Sequence, residues 1–387
     1  MEKISCEHFN ICGGCDNLNI SYENQLNQKQ SYVKQCLLNF NINAKVNGTV
    51  GMFYPYKYRN KLHLAVRDVK GKPEIGFFME NSNKIVSVNS CCLFDVWAEK
   101  LINIIKQFIS KFKISAYNKK TNAGTLKYVV ARTLGKEIIV TLVVTTFNFA
   151  GRDWLLAELN KNFVGVSLYA CLNKRTDNAV FDERGFKHLG GYKKLRGELL
   201  GVKFELSPNS FFQVNTEITN KIYKQICSEI NPNNNSIVLD LYSGIGITSC
   251  VFALNGAKVV SIESVPEAVN DAKTIIKLNG LENKVVPYLG RCEQLITKIN
   301  FNKIIGGEAN VSVFVDPPRI GCVKIVLDKI LELKPNKIIY LSCNPETLAR
   351  DLSVLVKGNY KLVSVTPFDM FPQTNHVETL AVLTKIS

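Results

Sequence analysis

A cysteine directly after a strand-like run is the residue of this chain best placed for chemistry. Cys343 follows the apolar run at residues 338–341 and precedes Asn344-Pro345. Because proline cannot continue a strand ladder, the strand should end here and leave the thiol exposed. A buried core cysteine is the alternative interpretation. Cys343 is therefore a candidate nucleophile, and the groups around it decide which reaction it serves.

A glycine turn at residues 240–246 (DLYSGIG) follows another apolar run. Glycines such as Gly244 let the backbone turn sharply and approach a ligand. Ser249 stands where the third glycine of G-x-G-x-x-G belongs, which disfavours a pyrophosphate cofactor. Glu263 ends the next strand, and its carboxylate can accept hydrogen bonds from both ribose hydroxyls. The pattern predicts S-adenosylmethionine, with an ordinary helix-capping acid as the alternative for Glu263.

The segment Asp316-Pro317-Pro318-Arg319 ends a further strand-like run. Two consecutive prolines restrict the loop, so that Asp316 and nearby carbonyls should lie over the carboxyl edge of the sheet. Rigid placement suits a bound base or a sulfonium. A purely structural turn is the alternative for this segment.

The chemistry that fits this set of groups is methylation of a pyrimidine ring. Carbon 5 of uracil is a poor nucleophile, and addition of a thiolate to carbon 6 makes an enolate that attacks a methyl group. The proton on carbon 5 must then be removed so that the thiol can leave. Glu378, in the sequence His376-Val377-Glu378, is the candidate base, with a solvated charge as its alternative. Cys343 and Glu378 can both lie at the carboxyl edge of one sheet.

Alternating strand and helix patterns over residues 206–387 must position these side chains. A turn cluster at residues 231–235 (NPNNN) opens the series. The predicted fold class is α/β, a doubly wound Rossmann-like sheet with helices on both faces. We predict helices up to residue 254 and over 266–279, and strands at 238–241, 259–262, from 285, 311–315, 338–341, 360–365 and 379–383.

Residues 1–205 have a different pattern and are predicted to form a separate α+β region. Short strand-like runs occur at residues 62–66, 128–132 and 138–144, and their alternation favours an antiparallel sheet. A helix is predicted over residues 21–40, and it can pack on either domain. The two predicted domains are therefore residues 1–205 and 206–387.

Composition narrows the class of partner and the compartment. The formal net charge is +15, from 48 basic and 33 acidic residues in a chain of 387. A polyanion is therefore the favoured partner, although a basic surface alone is also compatible. The chain lacks a signal-peptide pattern and an apolar run long enough to span a membrane, so we expect a cytoplasmic protein, monomeric by default. In that compartment the 12 cysteines are core residues, metal ligands or catalysts rather than disulfides.

Three cysteines near the amino terminus have the spacing of metal ligands. Cys6, Cys12 and Cys15 are spaced C-x5-C-x2-C, with two glycines between the last two. A closed site needs a fourth ligand, for which Cys91 and Cys92 are the candidates. Four thiolates suit either zinc or a [4Fe–4S] cluster, and ligand softness does not choose between them.

The motifs LDLYSGIG, SIE, VDPPR, LSCNPETLARD and HVE, with SPNSFFQVN upstream, resemble the RNA 5-methyluridine (uracil-5-) methyltransferase family of the RumA and TrmA type. The resemblance covers nearly the whole chain. It implies Cys343 as nucleophile and Glu378 as proton acceptor. It further implies that S-adenosylmethionine is bound by Gln213, Tyr242, Gly244, Glu263 and Asp316.

The same resemblance chooses the [4Fe–4S] cluster over zinc. Members of the ribosomal-RNA branch carry this cysteine pattern, which implies Cys6, Cys12, Cys15 and Cys91 as ligands. Many relatives begin with a small RNA-binding β-barrel, the TRAM domain, which we do not expect here. The implied substrate is a looped-out uridine of 23S ribosomal RNA, without an obligate protein partner. The alternatives are the T-loop uridine of transfer RNA and, more distantly, a non-catalytic iron–sulfur protein that binds RNA.

Two basic segments are candidates for binding the RNA. Residues 54–61 (YPYKYRNK) interleave aromatic and basic side chains, which suits base stacking with phosphate neutralisation, while a solvated strand edge is the alternative. A second basic loop contains Lys187, Lys193, Lys194 and Arg196. The target base must leave its stack to reach Cys343, and Phe211 or Phe212 could stack on it.

Overall fold

The computed structural model describes residues 4–177, 179–182, 185–300 and 310–386. The chain forms two compact units. The first unit comprises Met1–Asn19, Pro55–Gly197 and Glu205–Asn209, and the second comprises Ile20–Tyr54, Glu198–Phe204 and Ser210–Ser387. Among the described residues, no helix combines the length and apolar character needed to cross a membrane.

The first unit is built on a seven-stranded sheet with the strand order β3-β2-β1-β4-β5-β6-β7. Two helices, α2 (Val96–Lys111) and α3 (Arg152–Asn162), belong to the same unit. The strands are β1 (Lys61–Val69), β2 (Lys72–Phe78), β3 (Ile85–Ser87), β4 (Leu126–Leu134), β5 (Glu137–Val144), β6 (Gly165–Leu172) and β7 (Phe186–Gly191).

Neighbouring strands of this sheet are antiparallel, as predicted, except for β5 and β6. The strands β5 and β6 are parallel because α3 connects them: it returns the chain to the sheet edge where β5 began, so that β6 runs in the same direction. Side chains alternate between the two faces of the sheet. On β1, Leu62 and Leu64 are fully buried, while Lys61, His63 and Arg67 belong to the other face.

The second unit is built on another seven-stranded sheet, with the order β12-β11-β10-β13-β14-β16-β15. The first five strands of this order are parallel, and β16 runs antiparallel to both neighbours. The predicted doubly wound α/β fold is confirmed. The strands are β10 (Ser236–Leu241), β11 (Lys258–Glu263), β12 (Val285–Leu289), β13 (Asn310–Val315), β14 (Lys337–Ser342), β15 (Tyr360–Phe368) and β16 (Glu378–Lys385).

Helices of the second unit begin at recognisable signals. Ser21, Asn215 and Asn344 cap their helices by accepting a backbone N–H, and Pro266 and Pro345 occupy first-turn positions where no donor is needed. These helices are α1 (Tyr22–Leu38), α4 (Thr216–Ile230), α5 (Ile247–Leu254), α6 (Pro266–Leu278), α7 (Cys292–Leu295), α8 (Lys324–Leu333) and α9 (Pro345–Lys357).

A short hairpin of β8 (Leu195–Leu199) and β9 (Val202–Leu206) has residues in both units. Residues 20–54, which contain α1, belong to the second unit although they precede most of the first unit in the chain. The core of the second unit therefore includes Val33 and Leu37 of α1 beside strand residues such as Val313 and Tyr340.

Candidate active site

The carboxyl edge of the second sheet brings together five of the predicted site residues. Tyr242 follows β10, Glu263 ends β11 and Asp316 follows β13. Cys343 follows β14, and Glu378 opens β16. Because β16 is antiparallel to β14, with Ser342 opposite Thr379, its first residue lies at the same edge as the end of β14.

Cys343 lies between the last residue of β14 and the capping residue of α9, and it is half-buried. Burial is the main cause that raises the pKa of its thiol above the ordinary value. Glu378 and Asp316 raise it further, whereas Arg319 lowers it. The thiol therefore sits within electrostatic range of two acids and one cation and is largely protonated at neutral pH.

Glu378 and Asp316 form a pair of acids in surroundings that disfavour charge. Burial and the neighbouring Asp316 raise the pKa of Glu378 to about 8, against a smaller opposing effect of Arg319. Burial and Asp240 raise the pKa of Asp316 to about 7. A carboxyl group with a pKa near 8 can exchange a proton at physiological pH, which is the property that a general base needs.

Arg319 is held at this edge through its backbone and side chain. Its carbonyl accepts hydrogen bonds from Asn344 Nδ2 at 3.1 Å and from Thr347 Oγ1 at 3.2 Å. Its guanidinium lies 3.3 Å from His376 Nδ1. The loop after β13 is therefore attached to the start of α9, the helix that follows Cys343.

The glycine turn has an open face where a ligand could approach. Gly244 adopts a φ of +54°, in the left-handed region, and a Cβ placed there would meet nothing within 4 Å. Its N–H donates to Glu263 Oε2 at 2.9 Å. Glu263 Oε1 accepts from the backbone of Ser264 at 2.6 Å and of Val265 at 2.8 Å. Glu263 thus binds the backbone that leads into α6, and these bonds fix its carboxylate beside the turn.

Asp240 is a residue that sequence reasoning did not select. Its Oδ2 accepts hydrogen bonds from Thr248 Oγ1 at 2.7 Å and from Ser249 Oγ at 2.5 Å, both on α5. Complete burial raises the pKa of Asp240 to about 6. The serine at the position of a third glycine therefore ties the first turn of α5 to β10. An acid four residues before the first glycine is the signal that could have identified Asp240.

Tyr242 has a positive φ of 64°, uncommon for a residue with a side chain. Its ring packs against the core of the second unit, and its hydroxyl faces Cys322 and Cys292. Burial and these thiols raise the pKa of that hydroxyl. The part of Tyr242 that faces the turn is consequently its backbone.

Gln213 is buried in the segment before α4. The two residues before Gln213 differ in exposure. Phe211 is 70% exposed, whereas Phe212 is buried against Phe204, with ring centroids 5.2 Å apart. Of the two phenylalanines considered for stacking on a base, only Phe211 is accessible.

Helix α1 holds the segment that leads to Glu378. Lys29 Nζ donates to Asp369 Oδ1 at 2.5 Å and to the carbonyl of Phe371 at 3.2 Å. Gln25 and Gln373 exchange two hydrogen bonds, at 2.9 and 3.1 Å. Lys29 and Asp369 are 3% and 0% exposed, so this ion pair is fully buried. The segment between β15 and β16 is thereby fixed at several points.

The first unit contains a cavity lined by thiols. Cys6, Cys12, Cys15, Cys91 and Cys92 all line it. A hydrogen bond with Cys92 is the main cause that raises the pKa of Cys91, and one with Cys15 raises that of Cys92 to about 12. Among the described residues, no group of three or more His, Cys, Asp or Glu is arranged to hold a metal ion. What the structure shows for the five cysteines is that they line one cavity.

Arg59 also lines the thiol cavity, a role that sequence reasoning missed. Burial lowers the pKa of its guanidinium, but Tyr58, followed by Cys91 and Cys15, raises that pKa above the ordinary value. The N–H of Lys57 donates to the carbonyl of Cys92 at 2.9 Å and that of Arg59 to Leu93 at 2.9 Å. The predicted base-stacking role is wrong for Tyr56 and Tyr58, which are 8% and 7% exposed and belong to the core.

The parallel sheet, the glycine turn and the acids at one edge define a Rossmann-like methyltransferase. The family model described as tRNA (Uracil-5-)-methyltransferase matches residues 21–386, and the chain belongs to this family. It is thus an S-adenosylmethionine-dependent RNA (uracil-5-)-methyltransferase.

Individual relatives agree with this assignment. An uncharacterized RNA methyltransferase of Clostridium tetani is 36% identical over 98% of this chain and 82% of that protein. Another, of Halalkalibacterium halodurans, is 37% identical over 98% of this chain and 83% of that protein. The crystal structure of Pyrococcus abyssi tRNA (uracil-54, C5)-methyltransferase in complex with S-adenosyl-L-homocysteine matches with a TM-score of 0.77 and 28% identity, covering 97% of this chain and 86% of that chain.

Proposed function

We propose that this enzyme methylates carbon 5 of a uridine in 23S ribosomal RNA, with Cys343 as nucleophile and Glu378 as base. The observation that carries the proposal is the set of Cys343, Glu378 and Asp316 at one sheet edge, each within electrostatic range of the others. A thiol alone would suit many reactions, but a thiol beside a carboxyl group of raised pKa suits addition to a ring followed by proton removal.

Cys343 begins the reaction by bonding to carbon 6 of the uracil. The thiol releases its proton to solvent water, sulfur forms the bond to carbon 6, and the electrons of the carbon 5–carbon 6 double bond move onto the carbonyl at carbon 4. Arg319 is the cation near Cys343 that favours the thiolate. Bound S-adenosylmethionine supplies the methyl group, which carbon 5 takes from the sulfonium.

Glu378 completes the reaction by taking the proton from carbon 5. The double bond between carbons 5 and 6 then forms again, and the bond from carbon 6 to sulfur breaks. Only the ionised carboxylate can accept this proton. Since the pKa of Glu378 is about 8, the active fraction of the enzyme should grow as the pH rises towards that value.

The cofactor site is proposed to use the groups around the glycine turn. The open face of Gly244 leaves room for a ligand close to the backbone, and Tyr242 contributes its backbone at the same turn. The anchored carboxylate of Glu263 is proposed to accept ribose hydroxyls, since each carboxylate oxygen can accept more than one hydrogen bond. Asp316 and the buried Gln213 complete the proposed set.

The thiol cavity is proposed to hold a [4Fe–4S] cluster through Cys6, Cys12, Cys15 and Cys91. A cluster takes one thiolate per iron, so its ligands surround a larger object than a single ion does. The observation that supports the proposal is that Cys6, Cys12, Cys15 and Cys91 all line this one cavity. Arg59 would offset part of the negative charge of four thiolates.

Transfer RNA is the second candidate substrate. It is favoured by the structural likeness to an enzyme named for uridine 54 of tRNA. Ribosomal RNA is favoured by the cysteine pattern, which resembles that of the ribosomal-RNA branch. The two substrates share one reaction, so the choice concerns only RNA recognition.

The test is incubation of purified enzyme and methyl-labelled S-adenosylmethionine with unmodified 23S ribosomal RNA and transfer RNA in parallel, followed by digestion to nucleosides. We expect label in 5-methyluridine from ribosomal RNA and background levels with Cys343→Ala. Cys227→Ala, which changes a half-buried thiol elsewhere in the second unit, serves as the control and should retain activity. Label only from transfer RNA would overturn the substrate, and undiminished label with Cys343→Ala would overturn the mechanism.

A further inference from the structure

The first unit has a second cavity, of about 550 Å³, that none of the proposed catalytic or cluster residues lines. Its walls come from β1, β2, β4, three loops and the amino-terminal segment at Gly13, and all of its lining residues belong to the first unit. We call it the Arg67 cavity. Its size is within the range of small-molecule and nucleotide sites in proteins.

Positive charge dominates the lining of this cavity. Among the described lining residues, Arg67, Lys119 and Lys127 share the cavity with one acid, Glu80, besides the pair described next. Two further charged residues of the lining, Arg175 and Asp177, bind each other, with Arg175 Nε 3.0 Å from Asp177 Oδ1, and so offset each other. The lining thus carries a net charge of about +2 at neutral pH, which attracts an anion.

Lys127 shows that this charge is built into the fold. Its side chain is nearly inaccessible, and Nζ donates to the carbonyls of Asn173 at 3.3 Å and Arg175 at 2.7 Å. It also lies 4.4 Å from the ring centroid of Tyr117. Because both acceptors are neutral, these hydrogen bonds orient the ammonium group without cancelling its charge.

Arg67 is fixed against an aromatic wall. Its guanidinium carbon lies 5.2 Å from the ring centroid of Phe78 and 5.1 Å from that of Tyr128. It donates to the carbonyl of Lys127 at 3.1 Å and to Tyr128 Oη at 3.2 Å. His63 stands on the other side of Tyr128, with ring centroids 5.2 Å apart. Cations and flat rings therefore meet on one sheet face.

His63 adds a polar ring without adding charge. The enclosing protein lowers its pKa to about 4, with smaller contributions from Lys61 and Arg67, although the ring is accessible to solvent. A neutral imidazole can both donate and accept a hydrogen bond, which suits the edge of a base better than a second cation would.

We propose that the Arg67 cavity binds one nucleotide of single-stranded RNA, with its phosphate towards the cations and its base against the partly buried ring of Phe78. The proposal rests on the RNA substrate of the proposed function, but concerns a nucleotide other than the methylated one. Single-stranded RNA is recognised where phosphate neutralisation and stacking on aromatic rings occur together. An acidic peptide would use the cations and leave the aromatic wall without a role.

The test is binding of a short fluorescein-labelled oligoadenylate, followed by fluorescence anisotropy over a series of salt concentrations. This RNA contains no uridine, and the assay contains no S-adenosylmethionine, so failure of the methylation proposal would not affect the result. Lys119→Ala is compared with Lys120→Ala, because both side chains are exposed and only Lys119 lines the cavity. Phe78→Leu and Arg67→Gln test the wall and the fixed cation.

We expect Lys119→Ala to weaken binding about fivefold and to lower the slope of log affinity against log salt by about one, with little change for Lys120→Ala. Phe78→Leu should weaken binding roughly tenfold through lost stacking. Equal effects of the two lysine variants would overturn the proposal. So would binding of a polyglutamate peptide that competes fully with the RNA. Because Lys119 and Lys120 are exposed, that pair remains decisive even if Phe78→Leu or Arg67→Gln unfolds.

Discussion

Two regions of this enzyme are built on cysteine, and they differ in the groups that surround the thiols. Cys343 has two acids and one cation within electrostatic range, and burial first, then those acids, raise the pKa of its thiol. In the thiol cavity, burial and neighbouring cysteines raise the pKa of Cys12, Cys91 and Cys92, and Arg59 opposes this only weakly for Cys12 and Cys91. An acid beside a lone thiol can exchange a proton during a reaction, whereas several thiols around one cavity suit metal ligation. Acids at one site and further thiols at the other separate the two predicted roles.

The largest effect should come from removing the acid next to Cys343. Glu378→Gln is expected to lower methyl transfer by roughly 10²–10⁴-fold, because a neutral amide cannot accept the carbon 5 proton. Wild-type kcat/KM should rise with pH as Glu378 ionises around pH 8, and that rise should be missing from the variant. Glu346→Gln, an exposed acid in the first turn of α9, is the control. A variant that keeps the wild-type pH profile would remove Glu378 from the mechanism.

The same substitution should act in the opposite direction on stability. The folded-state pKa of Glu378 lies above its unfolded value, so the folded protein holds a proton that the unfolded chain releases. Stability is therefore lost as the pH rises from about 4.5 to about 8. Glu378→Gln avoids this loss and should be more stable than wild type by roughly 2–4 kcal/mol near pH 9. Near pH 6 the variant should still be the more stable protein, but by a smaller margin. Thermal melts at the two pH values measure the difference.

The thiol cavity offers a matched pair of neighbouring variants. Cys91→Ser should remove iron and sulfide from anaerobically reconstituted protein and lower the melting temperature by roughly 5–10 °C, since loss of a ligand costs a few kcal/mol. Cys92→Ser should keep both. Iron and sulfide analysis measures the outcome directly. The reverse result would exchange the two ligands, and full iron content in both variants would refute a ligand role for either residue.

A further prediction, which leaves the chemistry of both cysteine sites untouched, tests the buried ion pair that holds the segment before Glu378. Lys29→Met leaves Asp369 buried without its cation and should lower stability by about 3–5 kcal/mol. Lys29→Met combined with Asp369→Asn should recover much of that loss. Lys34→Met, on the exposed face of α1, is the control. Urea unfolding measures all of these, and equal losses for Lys29→Met and Lys34→Met would contradict a structural role for the pair.

The elements that position the site residues could be predicted from the sequence, because strand ends and glycine turns are local signals. The runs ending near Leu241, Val315 and Leu341 are parallel strands of one sheet, and Cys343 and Glu378 lie at its carboxyl edge. The roles of these residues stay predictions. Ser249 appeared only as a missing glycine, because its bond to Asp240 depends on how α5 packs against β10.

Other features required long-range contacts and could not be read locally. The alternation at residues 54–61 suggested that aromatic and basic side chains face an RNA. In the structure Tyr56 and Tyr58 are buried, and Arg59 lines the thiol cavity. The pattern of α1 showed an amphipathic helix without showing its unit. Lys29 would ordinarily be placed in solvent, and only Asp369, far along the chain, explains its burial.

The position of α1 has a consequence for synthesis of the protein. Its buried partners Asp369 and Gln373 lie 340 and 348 residues further along the chain than Lys29 and Gln25. A ribosome therefore releases α1 long before the residues that satisfy its buried polar groups exist. The second unit can reach its final packing only after residue 373 has been synthesised, so a nascent chain that stops before residue 369 carries a helix whose buried lysine has no carboxylate to meet.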